Sequence, residues 1–191
     1  MKTLNIKYEP NSDRYLTQWD SRWTDVLIGT GKLTLGRWGC TTTCLSTVSK
    51  SFDCYQSPDQ IAKNPKNYID SEVNWIALDF PNFSFRWREG SLYSNAQNKI
   101  DFNLLKAWCN PLDPDKAIMF EVANRSHWVT GLWWNEYDND FWAIDPATGK
   151  HCKVLETYGN ITGAALFVRW NKNEHGGKQA WQGQPQAPIY A

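Results

Sequence analysis

The sequence predicts an α+β fold, with an N-terminal helical half packed on a C-terminal antiparallel sheet. Three observations predict it. Segments with helical spacing and capping residues fall before residue 110. Apolar runs separated by short polar turns fall after residue 115. The length, 191 residues, suits one domain with a substantial core.

The first helix is expected to begin at Cys40. Gly39 precedes it, and Cys44, Leu45 and Val48 recur at helical spacing. A second begins after Ser57, with Pro58 at its first position and Gln60 completing a capping box. A short helix is expected over 71–78. Another covers 101–109, capped by Asp101, with Phe102, Leu105 and Trp108 on one stripe, and Asn110-Pro111 ends it. Residues 15–39 read as loop or extended chain. Strands are expected over 116–123, 127–134, 141–145, 152–155 and 165–170, with Asp145-Pro146-Ala147-Thr148-Gly149 as a turn. Three segments follow: a polar arm over 1–14, the domain over 15–170, and a Gly/Gln/Pro-rich tail over 171–191.

Composition excludes several classes. Lys plus Arg equals Asp plus Glu, so the net charge is zero, which argues against nucleic acid or a polybasic membrane patch. No apolar run approaches the ~20 residues that span a bilayer. The first residues lack the apolar segment of a signal peptide, so synthesis in the cytoplasm is expected, without export by that route. Five cysteines, an odd number with no C-x-x-C pair, exclude a full disulfide framework. No metal site is expected from them, nor any other cofactor. Much of the 12-residue tryptophan complement must be packed.

Some residues carry chemistry. A thiolate is favoured at a helix N-terminus and beside an imidazolium, and Cys40 is placed for the first effect. Cys44, one turn further in, suits core packing. His127 opens an apolar strand, where it can act as a general base or serve as a half-buried structural histidine. Asp145 ends the next strand. The hairpin makes His127 and Asp145 near neighbours, subject to a bulge that adjusts the register. Asp145 can also simply start the turn. Gln18, alone, reads as a surface residue, yet its amide is of the type that stabilises an oxyanion.

Five pieces then occur in order. They are Tyr15-Leu16-Thr17-Gln18-Trp19-Asp20-Ser21-Arg22-Trp23, Gly39-Cys40, Ser57-Pro58-Asp59-Gln60-Ile61, His127-Trp128-Val129-Thr130-Gly131, and Ala143-Ile144-Asp145-Pro146-Ala147-Thr148-Gly149. In these the chain resembles the papain-like cysteine peptidases, in the branch of the bacteriocin-processing (double-glycine) peptidases and their free-standing relatives. The resemblance covers about residues 15–150 and departs at Thr41-Thr42-Thr43 and in the long Gln18–Cys40 spacing. It implies a papain-like fold in which Cys40 attacks, His127 moves the proton, Asp145 orients His127 and Gln18 lines the oxyanion hole. It also implies a peptide or peptidoglycan cross-link as substrate, with hydrolysis or acyl transfer as outcome. A phage-encoded or cell-wall-acting protein, released by lysis or carried in a virion, fits these features. The alternative is a binding or structural module that keeps the fold without catalysis.

Overall fold

The computed structural model describes residues 15–89 and 100–169. The expected arm over 1–14 and tail over 171–191 lie outside the described residues. The architecture is α+β. Among the described residues eight strands, β1 (Tyr68–Ile69), β2 (Glu72–Val73), β3 (Phe83–Glu89), β4 (Lys116–Val122), β5 (His127–Asn135), β6 (Asp140–Asp145), β7 (Lys150–Lys153) and β8 (Gly163–Arg169), form two sheets. The larger has six antiparallel strands in the order β3-β8-β4-β5-β6-β7. The α-helices among the described residues are α1 (Leu35–Trp38), α2 (Cys40–Ser51), α3 (Pro58–Ala62), α4 (Phe102–Trp108) and α5 (Val154–Tyr158).

Alternation along the strands gives the large sheet two buried faces. Ala117, Met119, Trp128, Ala165 and Phe167 face one core, which they share with Cys44, Leu45 and Val48 of α2 and with Ile61 of α3. Ile118, Phe120, Val122, Val129 and Leu166 face a second core with Leu105 of α4 and Val154 of α5. The helices are therefore not all on one side, as a simple split into helical and sheet halves would have it.

The central helix α2 is an unusual core element, because Thr42, Thr43, Ser46, Thr47, Ser49 and Ser51 are all buried in it. Burial without partners would be costly, and most of these hydroxyls are satisfied. Thr42 Oγ1 pairs with the Tyr68 hydroxyl at 2.7 Å, Ser49 Oγ donates to the Ser46 carbonyl at 2.7 Å, and Thr47 Oγ1 to that of Thr43 at 3.2 Å. Gly39 separates α1 from α2. A Cβ there would lie 2.3 Å from the Leu35 carbonyl oxygen, so the close approach it permits is that of the preceding turn of its own chain.

Three expectations need correction, and one strand was not among them. Residues 15–39 contain the one-turn α1 and an isolated bridge between Leu27 and Thr34. Residues 71–78 hold β2 and a 3₁₀ turn, Trp75–Ala77, in place of an α-helix. Aromatic packing accounts for this: the Trp75 ring sits 5.2 Å from Trp128 and 5.5 Å from Phe85. The strand expected at 152–155 stops at Lys153, and α5 follows. The cause is a cap from another strand, since the Asp140 carboxylate accepts the backbone N–H groups of Leu155 and Glu156 at 2.8 and 2.9 Å. Finally, β3 lies outside the expected elements, although Phe83, Ser84, Phe85 and Arg86 alternate apolar with polar.

Gly131 permits the second core to close against β5, since a Cβ there would lie 2.7 Å from both Ile118 Cγ2 and Phe120 Cε2. Gly131→Ala is expected to lower stability by about 1–3 kcal/mol through overpacking, measured as the shift in urea midpoint at unchanged m.

Candidate active site

Three elements converge where β5 begins. β5 pairs with β4 along its whole first half, with Val122 opposite His127 and Glu121 opposite Trp128. Its pairing with β6 starts only at Thr130, opposite Ile144. The β6-facing edge of β5 is thus open at His127 and Trp128. The N-terminus of α2 comes to this opening. The Trp128 carbonyl accepts from Cys44 Sγ at 3.3 Å, and the Trp128 backbone N–H favours the charged form of Cys40.

The register of the β5–β6 hairpin decides whether His127 and Asp145 meet. Near its loop, Trp133 pairs with Trp142 and Asn135 with Asp140; past a bulge at Leu132, Gly131 pairs with Ala143 and Thr130 with Ile144. Continued by one step, the second register puts Asp145 opposite Val129, on the same face as His127 and one diagonal away. Continued without the bulge, the first would put Asp145 opposite Thr130, on the wrong face. The bulge therefore brings the two side chains together, and His127 Nε2 lies 2.8 Å from Asp145 Oδ1.

The carboxylate is held from several sides. Oδ1 also accepts the Ala147 N–H at 2.8 Å, and Oδ2 accepts the Tyr158 hydroxyl at 2.9 Å and a longer bond from Thr148 Oγ1 at 3.4 Å. The turn after Asp145 closes with the Gly149 N–H on the Asp145 carbonyl at 2.8 Å, and Gly149 takes φ +65°, the left-handed region that glycine enters freely. Asp145 thus starts the turn and pairs with His127 as well.

Nε2 faces the carboxylate, so Nδ1 is the ring nitrogen left for the thiol. Burial pushes the Cys40 thiol up, but the imidazole, the Trp128 N–H and Thr41 outweigh it, and its pKa falls below the ordinary value. Burial likewise opposes charge on His127, yet Asp145 and Cys40 together raise its pKa to about 9. Asp145 is held below the usual carboxylate range, with the His127 and Ala147 hydrogen bonds overcoming its burial. Each group favours the charged form of the next, which is the signature of a thiolate–imidazolium–carboxylate array. Three other thiols behave differently: burial pushes Cys44 well up, Cys54 up, and Cys152 up to about 12.

Gln18 is not a surface residue; it is 5% exposed. Its Nε2 donates to the Gly36 carbonyl at 2.7 Å, and its backbone N–H donates to the Pro146 carbonyl at 3.0 Å. Gly36 lies in α1, which Gly39 alone separates from the start of α2, so Gln18 is tied to the segment that leads into Cys40. The Gly36 carbonyl requires a donor, which fixes Nε2 toward it and leaves the second Nε2 hydrogen for another acceptor. The Cys40 backbone N–H, in the first helical turn, has no intrahelical partner either.

No family model, no curated protein and no solved structure matches this chain.

Tyr158 is the functional-site residue that sequence reasoning missed. Its helix depends on the cap from Asp140, 15 residues earlier, and no local pattern announces it. His151 stands apart from the array. It lies in β7, packed on Tyr15 at 4.6 Å between ring centroids, and burial lowers its pKa. No group of side chains able to hold a metal ion occurs among the described residues.

The electrostatics predict which thiol reacts first. Limiting iodoacetamide near neutral pH is expected to alkylate Cys40 ahead of Cys44, Cys54, Cys109 and Cys152, read by peptide mapping; preferential labelling of another cysteine contradicts the assignment.

Proposed function

We propose that the protein is a papain-like cysteine peptidase, a thiol hydrolase acting on a peptide or on a peptidoglycan cross-link. The observation that carries this reading is the array itself: a thiol at a helix N-terminus whose charged form is favoured by an imidazole, which a buried carboxylate holds at 2.8 Å. A helix bearing the thiol, packed on an antiparallel sheet bearing the base, also suits a papain-like fold.

In this reading the Cys40 thiolate attacks the carbonyl carbon of the scissile amide, and the carbonyl π electrons move to oxygen. The Cys40 N–H and the free Gln18 Nε2 hydrogen stabilise that oxyanion. The imidazolium of His127 gives its Nδ1 proton to the departing amine as the C–N bond breaks, leaving a thioester on Cys40. Neutral His127 then takes a proton from water, whose oxygen attacks the thioester. Collapse expels the thiolate and restores the ion pair. With an amine in place of water, the same steps give acyl transfer. Trp19 and Trp38, 57% and 53% exposed, adjoin Gln18 and lie two residues before Cys40, where they can line the substrate's approach.

Purified peptidoglycan and a random peptide library are the test substrates, with product masses as readout. The wild type is expected to release fragments with new carboxyl ends, and Cys40→Ala none at unchanged fold. Equal binding by both, with no product from either, would favour the non-catalytic module.

On the substrate so found, kcat/KM against pH is expected to be bell-shaped. The acid limb follows thiolate formation. The alkaline limb follows loss of the imidazolium proton near pH 9, because His127 is raised to about that value. Asp145→Asn should reduce kcat/KM by about tenfold to a few hundredfold and move the alkaline limb to lower pH, since the imidazolium loses its counter-charge. Asp145→Ala should cost more. Full activity of Asp145→Ala with an unchanged profile would remove Asp145 from the site.

A further inference from the structure

We propose that Tyr158 is a positioning residue that holds the Asp145 carboxylate in line with His127. The inference rests on the thiol-hydrolase reading for its consequence, although the geometry stands without it.

A carboxylate pinned through one oxygen can still turn about its Cβ–Cγ bond. Pinned through both, it cannot. Asp145 Oδ1 is shared by His127 Nε2 and the Ala147 N–H, each at 2.8 Å. On Oδ2 the short bond is from Tyr158, at 2.9 Å; Thr148 Oγ1 is at 3.4 Å and also lies 3.5 Å from the Asp145 backbone carbonyl. Tyr158 therefore supplies the second fixed point. Its ring lies 5.7 Å from the His127 ring between centroids, tilted by 44°, and so walls the imidazole on the same side. The anchor is itself secured. Asp140 caps α5 by accepting two of its N–H groups, and Gly159 at φ +78° ends the helix directly after Tyr158.

The hydroxyl can only donate in this setting. Burial and the Asp145 charge both push its pKa up, so it keeps its proton through the working range. Titratable groups around the pair include Cys40 and Cys44 of α2, Cys152 of β7 and the exposed Lys150 of β7, which pairs with Asp145 across the strands; Cys44 and Cys152 stay neutral because burial raises them.

Tyr158→Phe removes the hydroxyl and keeps the ring. The test is the pH titration of the His127 ring by NMR on the intact chain, which needs no substrate. Wild-type His127 should titrate near 9. In Tyr158→Phe the freed carboxylate turns, and the midpoint is expected to fall by about half a unit to one unit, with faster solvent exchange of the His127 Nε2 proton. In an Asp145→Ala background the same change should have no further effect, because Tyr158 acts through Asp145. An unchanged or raised midpoint, or a shift that adds to that of Asp145→Ala, overturns the proposal. Tyr158→Leu serves the same cycle if Tyr158→Phe loses wild-type amide dispersion. Iodoacetamide rates on the wild type against pH separate the two readings. A Cys40 that titrates as an ordinary thiol defeats the thiol-hydrolase reading, whereas the His127 midpoint alone decides the role of Tyr158.

Discussion

A carboxylate taken out of water must recover the hydrogen bonds it has lost, and the fold around Asp145 is arranged to supply them. The donors come from three kinds of structure: a ring from β5, a backbone N–H from the turn after β6, and a phenol from α5. Each is useful only if the others are in place. Without them the charge would be costly, and the carboxyl would take up a proton. With them it stays ionised and pulls the His127 proton toward itself, which in turn favours the Cys40 thiolate. The site is thus a chain of charges, each made tolerable by its neighbour.

That chain depends on counting residues in a hairpin. A β-strand sends successive side chains to opposite faces, so two residues on neighbouring strands meet only if their register has the right parity. The extra residue at Leu132 changes that parity between the loop and the open end. Below it, Trp133 and Trp142 stack, with their rings 5.7 Å apart. Above it, His127 and Asp145 share a face. One local irregularity lets the two ends of the hairpin serve different purposes: aromatic packing at one, a charged pair at the other.

Much of this was legible in the sequence, and the rest was hidden for definite reasons. Helix α2 announced its start through Gly39 and Cys40, and α3 through Ser57, Pro58 and Gln60, whose Oε1 does accept the Ser57 N–H at 2.9 Å. The strands β4, β5 and β6 followed from apolar runs between polar turns, because their signals are local. Helix α5 was not readable, since its cap comes from Asp140 on another strand and its residues look strand-like by themselves. The Trp75 turn was lost for a similar reason, since two of its aromatic partners, Trp128 and Phe167, are far away in sequence. For His127 and Asp145 the hairpin suggested proximity, while the bulge that secures it leaves no mark at Leu132. Gln18 read as a surface residue because only the folded chain brings Gly36 and Pro146 to it. The alternation at β3 is the reverse case, a signal carried locally by Phe83, Ser84, Phe85 and Arg86.

The place of β8 bears on when such a protein comes alive. It is the last described strand, yet it sits in the interior of the large sheet, between β3 and β4. Until it has been made, β3 lacks β8 and β4 has only β5 beside it, while the first core lacks Phe167 and the second lacks Leu166. The thiol, the imidazole and the carboxylate are all synthesised by residue 145, but the frame that aligns them waits for residues 163–169 to slot in. Pairings that span so much chain form slowly. A nascent chain therefore carries its reactive groups unaligned until residues 163–169 have been added and can pair.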